Sequence, residues 1–316
     1  MEMRKITGVL RLTDENLCIF ADTITVNLLM PSNRDNNIIT LKGLPYDLGV
    51  PRVMGILNVT PDSFYAESRK ESEGQIAERV AQLVGEGADM IDIGAYSSRP
   101  GANDVSPAEE MARLRKGLAV ISKEAPDAIV SVDTFRADVA RRCVEEYGVS
   151  IVNDIAAGDL DNGMFDMVAR LGVPYIMMHM QGNPRTMQVN PQYGNFREEV
   201  LAYFAQRVDR LQQKGVRDVI LDPGFGFGKT VAQNYELLGV MDEMKRFDKP
   251  LLVGISRKSM IYKVLGTTPQ EALNGTTVLN TLSLVHGAGI LRVHDVREAK
   301  EVVSLFMMYK QQTERG

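Results

Sequence analysis

Eight short apolar runs recur along the chain, each ending in polar or charged residues and each followed by a stretch with helical periodicity. They span residues 53–58, 90–92, 129–133, 151–154, 175–179, 219–222, 251–258 and 290–294. Strand-like runs alternating with helical segments predict parallel strands joined by crossover helices, and eight repeats predict an α/β fold of the (β/α)8 TIM barrel type. All parallel strands of such a barrel point their carboxyl ends at one mouth. Asn58, Asp92, Asp133, Asn153, Asp154, His179, Asp222, Ser256, Arg257, Lys258, Arg292 and His294 should therefore converge there, although they are scattered over more than two thirds of the sequence.

A chain of 316 residues is long enough for one large barrel or two ordinary domains, and the strand rhythm favours one barrel. Helical segments are expected at 74–86, 107–123, 137–147, 163–171, 195–214, 232–246, 269–287 and 296–309, with Pro107 and Pro269 in first turns that tolerate a missing N–H. Gly87, Gly148, Gly172 and Gly215 fall just past helix ends, where a left-handed cap suits glycine. Residues 1–50 read differently. The runs 8–12, 17–20 and 23–28 look like short strands broken by polar turns, and 31–37 like a loop, so an N-terminal β-strand extension is expected before a catalytic barrel at 51–316. That appendage would plug the amino-terminal end of the barrel or cover a flank. The connections 60–73, 95–106 and 180–193 are longer than a βα turn needs, which suits lids and specificity elements.

A net charge of −5 offers no long-range attraction to nucleic acid or an anionic membrane, although a local basic cluster can still hold a phosphorylated small molecule. No apolar run approaches the ~20 residues that span a bilayer, and Met1-Glu2-Met3-Arg4-Lys5 is not followed by a signal-type apolar stretch, so a cytoplasmic protein is expected. Cys18 and Cys143 lack metal-ligand spacing and read as free thiols.

The mouth divides chemically. Asp133, Asp154 and Asp222, with Asn58 and Asn153, supply acceptors, and a buried carboxylate without a partner costs several kcal/mol. Any one of them could instead cap a loop. Arg99, Arg257, Lys258, Arg292 and His294 supply positive or potentially positive groups suited to an anion. The combination suggests a ligand with an amide- or guanidine-like heterocycle at one end and phosphate at the other.

The run 222–230, which ends Gly228-Lys229-Thr230, tempts a phosphate-loop reading. That motif needs glycine where Pro223 stands, and proline offers no N–H to a phosphate. A turn letting backbone approach a ligand, with Phe227 as a flat wall and Lys229 solvated, fits better. No His/Cys/Asp/Glu cluster has zinc spacing, while magnesium held mostly by substrate phosphates stays open. No Gly-x-Ser-x-Gly nucleophile elbow occurs. Met177, Met178 and Met180 read as core and pocket wall.

Residues 55–64, Gly-Ile-Leu-Asn-Val-Thr-Pro-Asp-Ser-Phe, closely resemble a signature of the dihydropteroate synthases, pterin-binding enzymes of folate synthesis that sulfonamides inhibit. Further matches follow in order: Asp92-Ile93-Gly94, Ser98-Arg99-Pro100-Gly101, Ser131-Val132-Asp133-Thr134, Asn153-Asp154-Ile155, the segments 178–182 and 222–229, Ser256-Arg257-Lys258-Ser259 and Arg292-Val293-His294-Asp295. They run from about residue 52 to the end, leaving the first fifty residues largely outside the match.

The resemblance implies condensation of 6-hydroxymethyl-7,8-dihydropterin diphosphate with p-aminobenzoate to give dihydropteroate and pyrophosphate. It also implies that Asp133, Asn153, Asp222, Lys258 and Arg292 hold the pterin, with Met178 and Phe227 packing beside the ring. Asn58, Ser98, Arg99, Arg292 and His294 would gather the diphosphate, and Asn58 would ligate Mg²⁺ directly. Phe64, Pro100 and Ser259 would form the p-aminobenzoate site. Asn58, Lys258, Arg292 and His294 would carry the catalysis, chiefly by stabilising charge on the departing pyrophosphate. In a dissociative route the electron-rich dihydropterin delocalises the methylene cation before the neutral aryl amine attacks, so no general base is needed. A homodimer through helices late in the barrel is a further expectation of the resemblance.

The chain departs from the family at Tyr65-Ala66-Glu67-Ser68, where Ser-Asp-Gly-Gly is common, and at Ala95-Tyr96-Ser97-Ser98, where Gly-Glu-Ser-Thr is usual. Both changes fall in the p-aminobenzoate loops and bear on lid dynamics and sulfonamide affinity. A methyltransferase passing methyl from a methylated folate to a corrinoid protein would share the pterin pocket but has no reason to keep both the 58–64 and 256–259 segments. A non-catalytic pterin-binding barrel has no need of a leaving-group site. Phe64→Ala should weaken p-aminobenzoate use and leave pterin diphosphate binding largely intact; equal loss of both in titrations would refute that division.

Overall fold

The computed structural model describes residues 37–60, 69–96, 105–182, 187 and 191–313. It begins with a hairpin of β1 (Ile38–Leu41) and β2 (Leu44–Asp47), joined through Lys42 and Gly43 at φ 50° and 80°. Positive φ at both central residues matches the right-handed twist of the flanking strands. This hairpin does not show in the strand rhythm. The expected strands at 8–12, 17–20 and 23–28 lie outside the described residues.

Eight parallel strands then close into the expected barrel. They are β3 (Arg52–Asn58), β4 (Met90–Gly94), β5 (Ile129–Asp133), β6 (Ile151–Asp154), β7 (Tyr175–Met178), β8 (Val219–Asp222), β9 (Leu251–Val253) and β10 (Ala288–Val293), with β10 pairing back onto β3. The helices are α1 (Arg69–Gly85), α2 (Pro107–Glu124), α3 (Ala137–Tyr147), α4 (Met164–Leu171), α5 (Phe196–Gln213), α6 (Val231–Met244), α7 (Ser259–Leu265), α8 (Leu273–Val285) and α9 (Val296–Thr313). Among the described residues no helix is long and apolar enough to cross a membrane.

The structure corrects three of the expected boundaries. α1 starts five residues before Gly74, because Arg, Lys and Glu form helix readily without leaving an apolar stripe to read. β9 stops at Val253, and 254–258 form a turn that sets Arg257 at φ 55°. The single helix expected at 269–287 is interrupted, with α8 starting only at Leu273. Pro269 sits in the preceding bend, where Arg257 Nη1 donates to the Pro269 and Gln270 carbonyls and the Glu271 carboxylate accepts from Thr267 and Thr268. The four cap glycines adopt φ between 64° and 87° as expected.

Alternation along the strands sorts the side chains. Met54, Met90, Ile151, Ile176, Ile220, Leu252 and Ile290, with Ile129 packed against them, form one buried layer inside the barrel. Ile39, Leu41 and Leu48, from the hairpin and the residue after it, join this layer. Lying toward the amino ends of the strands, they close the barrel floor. Each such burial contributes about 1.5–3 kcal/mol relative to exposure. Residues of opposite parity, such as Val53, Ile91, Val132, Val152, Tyr175 and Leu221, pack with the helices in the main core.

Candidate active site

Adding two to each residue number of that inner layer gives Ile56, Asp92, Ser131, Asn153, Met178, Asp222, Gly254 and Arg292, because side chains repeat every second residue along a strand. The next inward positions include Asn58, Asp133, Ser256 and His294. The floor is apolar and the storey above it is polar, with Arg292 at its centre. Arg292 Nε donates to Asp92 Oδ2 at 2.6 Å and Nη2 to Asp133 Oδ2 at 2.9 Å, while Asn153 Nδ2 donates to the same Asp92 oxygen at 3.0 Å. Burial works against the Arg292 charge, but the two carboxylates outweigh it and hold the guanidinium firmly protonated. Burial pushes Asp133 above the usual carboxylate range; Arg292 pulls it down and Asp92 pushes it further up. Asp92 Oδ1 is buried with no hydrogen-bond partner.

Across the barrel, Asp222 and Lys258 face one another. Burial raises the Asp222 pKa while Lys258 opposes the rise. Burial lowers Lys258 to about 8. Lys258 Nζ donates to the Phe225 carbonyl at 2.6 Å and stands 4.6 Å from the centre of the Phe227 ring. Gly254 lies between these chains, and a Cβ there would meet Arg292 and Lys258 Nζ only at ordinary contact distance, 3.9 Å. Met178 and Phe227 belong to an apolar cluster with Ile155, Ala156, Met180, Met187 and Phe135, which forms one flat wall of the mouth.

His294 Nδ1 lies 3.0 Å from Ser256 Oγ. Burial first, and Arg292 second, push its pKa down to about 4, so the imidazole is neutral at pH 7. Asn58 and His294 line a cavity of about 470 Å³. Among the described residues, no set of three or more His, Cys, Asp or Glu side chains is arranged to hold a metal ion. One amide oxygen at a cavity wall suits magnesium, whose other ligands can be phosphate oxygens and waters.

Several strand-end residues prove structural, for reasons of parity or packing. Asp154 points outward, accepting from the Ala156 and Gly158 amides and from Tyr175 Oη at 2.7 Å, so it caps a loop and anchors a core tyrosine. His179 also points outward, packing edge-on against Tyr203 at 4.7 Å, with burial driving its pKa well down. Arg257 lines the cavity but spends its charge on Asp295 through two 2.8 Å bonds. Lys229, expected in solvent, is only 4% exposed. Its ammonium donates to the carbonyls of His179, Gly224 and Phe227 and thereby staples the glycine-rich turn to the end of β7. That turn is tight: Gly224 has φ 72°, and a Cβ on it would stand 2.0 Å from the His179 carbonyl oxygen.

Asn58, Asp133, Asn153, Met178, Asp222, Phe227, Lys258, Arg292 and His294 are thus brought together as the sequence suggests. Ser259 opens α7 directly beyond Lys258. Phe64, Ser98, Arg99 and Pro100 lie outside the described residues. Asp92, placed at the mouth by the sequence, was given no role there, although its position two residues past the floor residue Met90 marks it as inward-facing; Arg79, on α1, went unnamed and carried no local signal.

Carboxylate and amide acceptors lie beside buried cations at the mouth of a parallel eight-stranded barrel, which defines a barrel enzyme for a small ligand that is both hydrogen-bond-rich and anionic. Comparison with known proteins narrows the class. The family model for pterin binding enzymes matches residues 54–294. The dihydropteroate synthase of Escherichia coli K12 is 41% identical over 264 residues, covering 83% of this chain and 93% of its own. The Yersinia pestis dihydropteroate synthase, solved with a sulfonamide drug complex, superposes with a TM-score of 0.80 at 37% identity, covering 87% of this chain and 99% of that one. A Xanthomonas albilineans dihydropteroate synthase solved with 4-aminobenzoic acid has a TM-score of 0.78 at 34% identity, with coverages of 87% and 98%. The chain belongs to the pterin binding enzymes and, within them, to the dihydropteroate synthases.

Proposed function

We propose that this chain makes 7,8-dihydropteroate in folate biosynthesis by condensing 6-hydroxymethyl-7,8-dihydropterin diphosphate with p-aminobenzoate. The observation that carries this reading is the facing of Asp222 and Lys258 beside the Phe227 ring, with Arg292 bridging Asp92 and Asp133 in the same storey. This arrangement suits the two edges of a pterin. Asp222 accepts from the exocyclic amine and ring N–H; Lys258 donates to the carbonyl oxygen and ring nitrogen. Asn153 and Asp133 complete the edge, and Met178 and Phe227 bracket the ring faces. Each charge-assisted bond is worth roughly 1.5–3 kcal/mol.

Arg292 reaches both halves of the substrate. Its Nε and Nη2 are engaged in the structure, so Nη1 is the edge it can offer to the diphosphate. Asn58 and His294, with Ser98 and Arg99, gather the remaining phosphate oxygens. Asn58, together with the diphosphate, would hold a magnesium ion, which would neutralise charge on the leaving group. The C–O bond breaks with its electron pair leaving on pyrophosphate, the dihydropterin ring spreads the resulting charge, and the p-aminobenzoate nitrogen bonds to the methylene carbon and releases a proton. Phe64, Pro100 and Ser259 form the p-aminobenzoate site, where sulfonamides compete. The methyltransferase and non-catalytic readings are not favoured by the relatives, which carry the synthase name.

The test is pyrophosphate release by purified protein with each of pterin diphosphate, p-aminobenzoate and Mg²⁺ omitted in turn. Release requiring all three, with dihydropteroate formed, is expected; pterin binding without release would return the chain to the rival readings. Lys258 acts here as a charged donor, and its pKa is depressed to about 8. kcat/KM for the pterin diphosphate should therefore hold below pH 8 and fall about tenfold per unit above it. Lys258→Arg should remove that alkaline limb, and a flat wild-type profile to pH 9.5 would count against this role.

The chain also works as a cytoplasmic homodimer in this reading, cell fractionation being the check on the compartment. Val278, Leu282 and Val285 on α8, and Leu305, Met308 and Tyr309 on α9, are 41–74% exposed on helices packed against each other. That apolar face suits a second copy. Sedimentation should give twice the 35.0 kDa chain mass, and Leu305→Glu should halve it; a monomeric wild type rejects the dimer.

A further inference from the structure

We propose that Arg79, on α1, is a further diphosphate-binding residue and the cation that draws the leaving group into the cavity beside Asn58 and His294. This rests on the pterin diphosphate reading above. The cavity walls include Asn58, Arg79, Arg257, His294 and Asp295. Their charges are unequally committed. Arg257 and Asp295 neutralise each other through paired 2.8 Å bonds. Arg292, deeper in the mouth, is shared between Asp92 and Asp133. The His294 ring is engaged with Ser256.

Arg79 differs from all of these. Its Nη2 donates to the His294 carbonyl at 2.6 Å and its Nη1 to Gln82 Oε1 at 2.8 Å, both neutral acceptors. Among the described residues no carboxylate forms an ion pair with it, so its donors are not committed to an opposite charge. Burial lowers its pKa, and the neighbouring Glu86 and Asp295 push the other way. A partly buried guanidinium held by neutral oxygens gains when an anion arrives, because its desolvation is already spent while its electrostatic partner is missing. The bond to the His294 carbonyl holds its guanidinium beside the residue expected on the same phosphate, and the planar fork suits two oxygens of one phosphoryl group.

The experiment compares wild type, Arg79→Gln and Arg79→Lys by calorimetry with magnesium pyrophosphate, by calorimetry with phosphate-free 6-hydroxymethylpterin, and by steady-state kinetics. Arg79→Gln should weaken pyrophosphate binding and raise KM for the pterin diphosphate by roughly thirtyfold. The affinity for phosphate-free pterin and KM for p-aminobenzoate should stay at wild-type values. Arg79→Lys keeps the charge but loses the fork and should recover most of the loss, remaining about threefold weaker than wild type. It carries the test alone if Arg79→Gln does not fold. Unchanged pyrophosphate affinity in the variants, or a parallel loss of phosphate-free pterin and p-aminobenzoate, would overturn the proposal while wild-type turnover keeps the synthase reading intact. A wild type that neither turns over nor binds pyrophosphate would overturn both.

Discussion

The mouth of this barrel is organised around a buried positive charge that cannot exist there unassisted. Taking a guanidinium out of water costs several kcal/mol, and that cost is recovered only where carboxylates meet it in good geometry. Arg292 meets two, Asp92 and Asp133, contributed by β4 and the end of β5. Asn153 on β6 is tied to the same Asp92 oxygen, so four strands share one polar knot. Its members cannot be removed singly without stranding another, which gives the site rigidity before any ligand arrives. The knot also leaves unused capacity. One Asp92 oxygen lacks a partner, and burial pushes Asp133 above the usual carboxylate range, so the knot has acceptor capacity that a donor-rich ligand can use.

The neighbouring charges follow the same logic with different outcomes. Lys229 and Lys258 are both buried near Asp222, yet one is wholly satisfied by three backbone carbonyls and the other by only one. The satisfied lysine is scaffolding for the glycine-rich turn. The partly satisfied one retains N–H groups to give. Two lysines beside one carboxylate thus have different tasks, decided by how many acceptors the fold already supplies.

Much of this was legible in the chain because strands impose a period of two. The eight runs located the barrel, and their polar ends located the mouth. What strand-end position alone misses is direction. Asp154 and Asn153 are adjacent, yet only Asn153 faces inward; His179 beside Met178 makes the same contrast. Counting in twos from the floor residues would have separated them, and would have given Asp92 a role at the centre of the site. Other features had no one-dimensional signal. Arg79 reaches the cavity from a helix through a contact with a residue 215 positions away. Lys229 looked like a solvent lysine because the carbonyls that bury it come partly from a different strand end. The polar first turn of α1 and the late start of α8 were obscured because helix-forming polar residues in one case, and capture of the Pro269 and Gln270 carbonyls by Arg257 in the other, leave no apolar periodicity to read.

The hairpin that seals the amino-terminal end has a meaning beyond its packing. With Ile39, Leu41 and Leu48 filling the floor, the barrel is closed at its amino-terminal end among the described residues. A ligand on the polar storey is therefore reached from the mouth and not through the floor. The floor thus gives the site a direction, with the polar storey at its closed end and the rim as its exit.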